Sequence, residues 1–167
     1  MSRKVLIGYD HTEISNMAME WIVKNRAVFP EDDITLAIIV NDDAIAVEGA
    51  FGLEASVAGP MGWLSSDNFR ERISKLEKES KEALEAVVRW FKSKGITVTP
   101  QVLSGEPGET LKDFAEANKV DLVIVGSRGL GFLKRQFIGS VSDYLIHHLK
   151  CSVLVVKDDV QHHTTNS

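Results

Sequence analysis

Two kinds of apolar pattern alternate along this chain. Val5-Leu6-Ile7-Gly8-Tyr9, Ile34 to Val40, Asp121 to Val125 and Ser152 to Val156 are short, nearly unbroken apolar runs. They are too short for helices and suit strands covered on both faces. Ile96 to Leu103 instead alternates apolar with polar residues and carries Pro100, as an edge strand tolerates. Between these runs the apolar residues recur at helical spacing. Thr12 is placed to cap a helix whose stripe is Ile14, Met17, Ala18, Trp21 and Ile22, stopped by Pro30 and Glu31-Asp32-Asp33. Ser66 is placed to cap a long helix with Phe69, Ile73, Leu76, Ala83, Leu84, Val87 and Phe91 on one face, ended by Gly95. Its other face is dense in Lys and Glu, as a solvated face is. Pro107 opens a helix that turns Leu111, Phe114 and Ala115 inward. A last helix starts at Ser140, with Asp143 at the capping-box position.

Strands alternating with helices predict right-handed crossovers and an α/β fold. The expectation is a single Rossmann-like doubly wound domain, a five-stranded parallel sheet in the order 3-2-1-4-5 with helices on both faces. The domain is expected over residues 1–157, with a polar tail over 158–167. Residues 41–65, rich in Gly, Ala and Val, read as a long functional or mobile connection.

Composition narrows the class. The 167 residues suffice for one full core, and no apolar run approaches the roughly 18 residues of a membrane span. No secretory signal is evident at the start, and the single cysteine, Cys151, excludes an intramolecular disulfide framework. These point to a cytoplasmic protein with no membrane partner. A net charge of −5 argues against nucleic acid.

The chemistry concentrates after the fourth strand. Val123-Ile124-Val125 ends in Gly126-Ser127-Arg128-Gly129, and Gly139-Ser140-Val141-Ser142 opens the last helix. Glycines permit a sharp exit and a close backbone approach, and the first amides of a helix favour an anion. Ser140 and Ser142 add hydroxyls, and Arg128, Lys134 and Arg135 add positive charge. The spacing matches neither a Walker A loop nor the Gly-x-Gly-x-x-Gly dinucleotide loop. On the residues alone an anion site stands against a plain glycine-rich turn before a capped helix. Asp10, at the end of the first strand, is open to three readings: a ribose acceptor, a help to a phosphate-bound cation, or a cap for the next helix. His147 and His148 are adjacent and so face different ways. Cys151 reads as a small buried residue, and His11 as an exposed one. No catalytic residue is identified.

The run from Gly126 through Gly139-Ser140-Val141-Ser142-Asp143-Tyr144 to Cys151-Ser152-Val153-Leu154-Val155-Val156, with the opening Val5 to Asp10, resembles the ATP-binding branch of the universal stress protein family. The resemblance implies ATP, or AMP or ADP, with Mg or Mn accompanying the phosphates. It implies that Asp10 and the backbone of Val40 contact the adenosine. Gly126, Arg128 and Gly129 would lie along ribose and phosphates, and Gly139, Ser140, Val141 and Ser142 would hold the phosphate chain. It also implies a homodimer through the last strand, residues 153–156, although Ser152 stands where the family often has proline. The function it implies is a nucleotide-sensing regulatory protein of the stress response. The alternative is a slow ATP hydrolase or nucleotidyl-transfer enzyme using the same site.

Overall fold

The computed structural model describes residues 2–41, 67–127 and 139–157, with side chains from residue 70 onward in the middle segment. Among these residues, β1 (Lys4–Tyr9), β2 (Asp33–Val40), β3 (Thr99–Ser104), β4 (Leu122–Gly126) and β5 (Ser152–Val156) form one parallel sheet. Its order is β3-β2-β1-β4-β5, the doubly wound arrangement expected from the alternation. The connecting helices are α1 (Glu13–Lys24), α2 (Asp67–Ser93), α3 (Pro107–Asn118) and α4 (Ser140–His148).

The two-residue period of each strand divides the core. Val5, Ile7 and Ile124 pack with Ala18, Met19 and Ile22 of α1 and Leu84 and Phe91 of α2. Leu6, Val123 and Val125 point the other way, onto Leu111 and Ala115 of α3 and Leu145 of α4. Each fully buried side chain of this size contributes about 1.5–3 kcal/mol.

Helix ends follow local chemistry. Thr12 caps α1 as expected, its hydroxyl accepting from the Ser15 amide. Helix α1 stops at Lys24, before Pro30 is reached, because Arg26 turns left-handed (φ 54°). The Ala27 amide then reaches the Ile22 carbonyl. Gly95 ends α2 the same way at φ 77°, with the Ile96 amide on Phe91. Lys119 does so for α3 at φ 53°, with the Val120 amide on Ala115. The Ser66 cap expected for α2 lies outside the described residues.

Three expectations are corrected. The buried face of α1 is Ser15, Ala18, Met19 and Ile22, whereas Met17 and Trp21 are exposed. Ser15 goes inside because its hydroxyl is satisfied by the Thr12 carbonyl, which frees the helix to rotate Met19 inward. Strand β3 begins at Thr99 rather than Ile96; Ile96 and Val98 are buried in the connection, where Ile96 closes the end of α2. Helix α4 starts at Ser140 as expected, but with Gly139 as its cap residue no capping box forms, and Asp143 turns its carboxylate to His147 instead.

Candidate functional site

The sheet opens at its switch point. The β1–β4 ladder runs from Val5 opposite Leu122 to Ile7 opposite Ile124 and then stops. Strand β1 stays paired with β2 as far as Tyr9, and β4 stays paired with β5 as far as Gly126. The two central neighbours therefore part at their carboxyl ends. The chain leaves β1 into α1 on one face and reaches α4 on the other, which makes a crevice between them.

The wall from β4 is tightly built. The Ser127 amide donates to the Val156 carbonyl at 2.8 Å, which carries the β5 pairing one residue past Gly126. The Ser127 carbonyl accepts from the Gly139 amide at 2.6 Å. The start of α4 is thus pinned to the end of β4 although residues 128–138 intervene in sequence. Because the cap residue is glycine, it offers no side chain to the first amides of α4, those of Ser140, Val141 and Ser142, and among the described residues no other side chain bonds them. The first backbone bond of the helix is Asp143 N–H to the Gly139 carbonyl. Uncapped amides at the positive end of a helix are an anion-binding arrangement.

The three hydroxyls near this terminus differ. Ser140 is exposed. Ser142 is buried, and its hydroxyl is committed to the Gly139 carbonyl at 2.9 Å. The Ser142 hydroxyl is thus engaged within the protein, which departs from the expectation of two hydroxyl donors. Ser127 is only 4% exposed, and its hydroxyl lacks a hydrogen-bond partner. A buried orphan hydroxyl costs about 1–3 kcal/mol, so its retention beside this terminus is notable. Ser127 has no role among the site residues expected from the sequence; its signal there is a hydroxyl directly after the glycine that ends a buried strand.

On the β1 side, Asp10 is partly buried. Its Oδ1 accepts from the Thr12 hydroxyl at 2.6 Å and the Thr12 amide at 3.1 Å. Asp10 therefore braces the cap residue without being the cap, and these bonds fix the carboxylate while Oδ2 makes none among the described residues. His11, next in line, is exposed and left-handed at φ 65°. Burial, and then the Asp10 charge, pushes the Tyr9 hydroxyl above the usual tyrosine range, and that hydroxyl donates to Asn16. Val40 ends β2 with its carbonyl accepting from the Gly105 amide at 3.0 Å, which leaves the carbonyl's second lone pair. Gly105 holds φ 132°, and a Cβ there would stand 2.7 Å from the Thr110 hydroxyl, so the turn behind Val40 requires glycine.

The topology brings Asp10, Val40, Gly126 and the Gly139–Ser142 turn to the same carboxyl edge of the sheet. Arg128, Gly129, Lys134 and Arg135 lie outside the described residues. Among the described residues no cluster of His, Cys, Asp and Glu could hold a metal ion on its own. A separate depression of about 400 Å³ lies at the opposite edge, lined by Ala115, Glu116, Lys119, Val120, Leu149, Lys150 and Cys151. Burial raises the Cys151 thiol above its ordinary range, so it is a poor nucleophile. Among the described residues no helix is long and apolar enough to cross a membrane.

The family model described as the universal stress protein family matches residues 1–157. Universal stress protein Sll1388 of Synechocystis is 30% identical over 155 residues, spanning 92% of this chain and 97% of that protein. Universal stress protein MJ0577 of Methanocaldococcus jannaschii is 29% identical over 158 residues, 94% of this chain and 96% of that one. The solved MJ0577 structure superposes with a TM-score of 0.76 at 25% identity, covering 96% and 99% of the two chains. An Arabidopsis thaliana family protein solved with AMP bound shares the fold, with a TM-score of 0.63 at 19% identity and coverage of 98% and 97%. A match running from the first strand past the last, and joining both walls of the crevice, assigns this chain to the universal stress protein family.

Proposed function

We propose that this chain binds ATP, or another adenine nucleotide, in the crevice between β1 and β4. On this reading it acts as a nucleotide-sensing regulatory protein of the stress response, in the cytoplasm and as a dimer paired through residues 153–156. The observation that carries the reading is the uncapped start of α4, whose amides at Ser140, Val141 and Ser142 have only Gly139 before them. These amides and the Ser140 hydroxyl hold the phosphate chain. Gly126, Arg128 and Gly129 run beside ribose and phosphates. Oδ2 of Asp10 accepts from the ribose hydroxyls, and the spare lone pair of the Val40 carbonyl accepts from the adenine amino group. Mg or Mn comes with the phosphates. Support also comes from the Arabidopsis protein, a family member of the same fold solved with AMP.

Sensing is preferred to catalysis for a specific reason. Asp10 is the sole carboxylate in the proposed set, and its Oδ1 is engaged by Thr12, so it orients rather than abstracts. The test is release of adenine nucleotide from purified, then denatured, protein, together with a rise in melting temperature on adding ATP and magnesium. An empty protein that ATP fails to stabilise contradicts the proposal. Steady phosphate release that falls in Asp10→Asn would establish the slow hydrolase instead.

A further inference from the structure

The depression at the amino edge of the sheet stands apart from the switch-point crevice. Its volume, about 400 Å³, lies within the range of small-molecule sites. The last turn of α3 and the connection from α4 to β5 meet there. Its floor is apolar: Ala115 and Val120 are buried, and Leu149 is half-buried. Cys151 completes it, with a thiol that burial first, and then the Asp121 and Glu116 charges, hold neutral.

The rim is charged, and two of its charges are unmatched. Glu116 pairs with Lys112 at 3.3 Å, and the nearby Asp121 carboxylate accepts from the Lys4 amide. Lys119 and Lys150 are exposed, and among the described residues their ammonium groups make no ion pair or hydrogen bond. A basic residue near a helix C-terminus ordinarily bonds the last carbonyls. Here those carbonyls are engaged by other groups. In α3 the Phe114 carbonyl accepts from the Asn118 side chain, and that of Asn118 from Lys4. The Ala115 and Glu116 carbonyls accept from the Val120 and Lys119 amides. In α4 the Tyr144 carbonyl meets the His148 ring and the Leu145 carbonyl the Leu149 amide. Lys119 moreover stands at φ 53°, where a helix end ordinarily takes glycine. Its ammonium gives the fold no bond in return for that strained backbone, so the side chain is explained by the depression that it lines.

We propose that this depression is a second ligand site, and that it takes a small organic monoanion, an apolar body bearing one carboxylate or sulfonate group. The body covers Ala115, Val120, Leu149 and the Cys151 thiol. The head group pairs with the ammonium groups of Lys119 and Lys150. A neutral ligand would leave both ammonium groups unmatched, and an inorganic anion would leave the apolar floor in water. Binding here is independent of nucleotide in the crevice, which lies at the other end of the strands.

The test titrates 8-anilinonaphthalene-1-sulfonate into the full chain by fluorescence. Labelling of Cys151, the sole cysteine, by N-ethylmaleimide is the second readout. The expected result is saturable binding that ATP with magnesium does not displace. At about ten times its Kd the probe slows Cys151 labelling about tenfold. Lys119→Glu and Lys150→Glu each weaken probe binding at least about fivefold. Lys119→Gly weakens it as well while raising the melting temperature, which separates lost binding from lost folding. The charge control Lys24→Glu, in the last turn of α1, leaves binding unchanged. Absence of saturable binding overturns the site. So does binding that ATP displaces, that leaves Cys151 labelling unchanged, or that both lysine variants retain.

Discussion

Asp32 shows how one side chain ties a loop to the sheet. Its carboxylate, only 4% exposed, takes two bonds from Arg3, at 2.6 and 3.2 Å, and one from the Phe29 amide at 2.8 Å. Burial alone would raise its pKa; the Arg3 bonds, the Phe29 amide and the Arg3 charge together hold it below the ordinary carboxylate value. A carboxylate depressed in the folded state adds stability above its unfolded pKa, near 4, and loses it as pH falls through the folded value. Asp32→Asn is expected to cost about 1–2 kcal/mol at pH 7, the range kept low because Arg3 is partly exposed, and the deficit should shrink below pH 4. Urea denaturation at both pH values measures this. Ser127 carries the opposite expectation. With its buried hydroxyl unpartnered, Ser127→Ala should leave the free protein as stable or stabilise it by up to about 1 kcal/mol, while weakening nucleotide binding. Parallel denaturation and ATP titration separate the two effects. Neither residue was legible in the sequence as a functional or structural anchor. The partners of Asp32 are remote in sequence, and the Ser127 orphan exists only once β4, β5 and α4 are packed.

Three helices end on a left-handed residue, and glycine occupies only the one after α2. Lys119 and Arg26 adopt the same conformation against the steric preference of L-residues. Lys119→Gly should raise stability by about 0.5–1 kcal/mol, seen as a melting temperature a few degrees higher. Gly108, inside the first turn of α3, is held for space: a Cβ there would stand 2.9 Å from the Tyr144 ring of α4. Gly108→Ala should therefore cost about 1–3 kcal/mol by thermal melt, by forcing α3 and α4 apart. Element type was legible because runs of continuous apolar residues and of helical period barely overlap here. Helix facing was less so. Apolar residues surround much of α1, so the period admits two rotations, and only the choice of Ser15 as an inward residue selects the observed one. The start of β3 failed for a related reason: Ile96 and Val98 alternate as a strand does but are buried while closing the end of α2.

At the scale of the whole molecule, strand order turns separate motifs into one place. The glycine spacing and the Asp10 position were legible as sequence, and the doubly wound order 3-2-1-4-5 set them on one carboxyl edge. What sequence could not show is how the edge opens, with the β1–β4 ladder stopping at Ile7 while both outer ladders continue. Nor could it show that the Gly139 amide, at the uncapped start of α4, is pinned to the Ser127 carbonyl at the end of β4. Whether nucleotide sits on that terminus is read most directly from the amide spectrum of the ¹⁵N-labelled full chain during titration with ATP and magnesium. Saturable shifts at Ser140, Val141 and Ser142, joined by Asp10 and Gly126, are predicted, with β3 amides unmoved. Unmoved amides at 140–142 under saturating ATP, or shifts gathered instead around Lys119 and Cys151, would contradict nucleotide binding at the switch point.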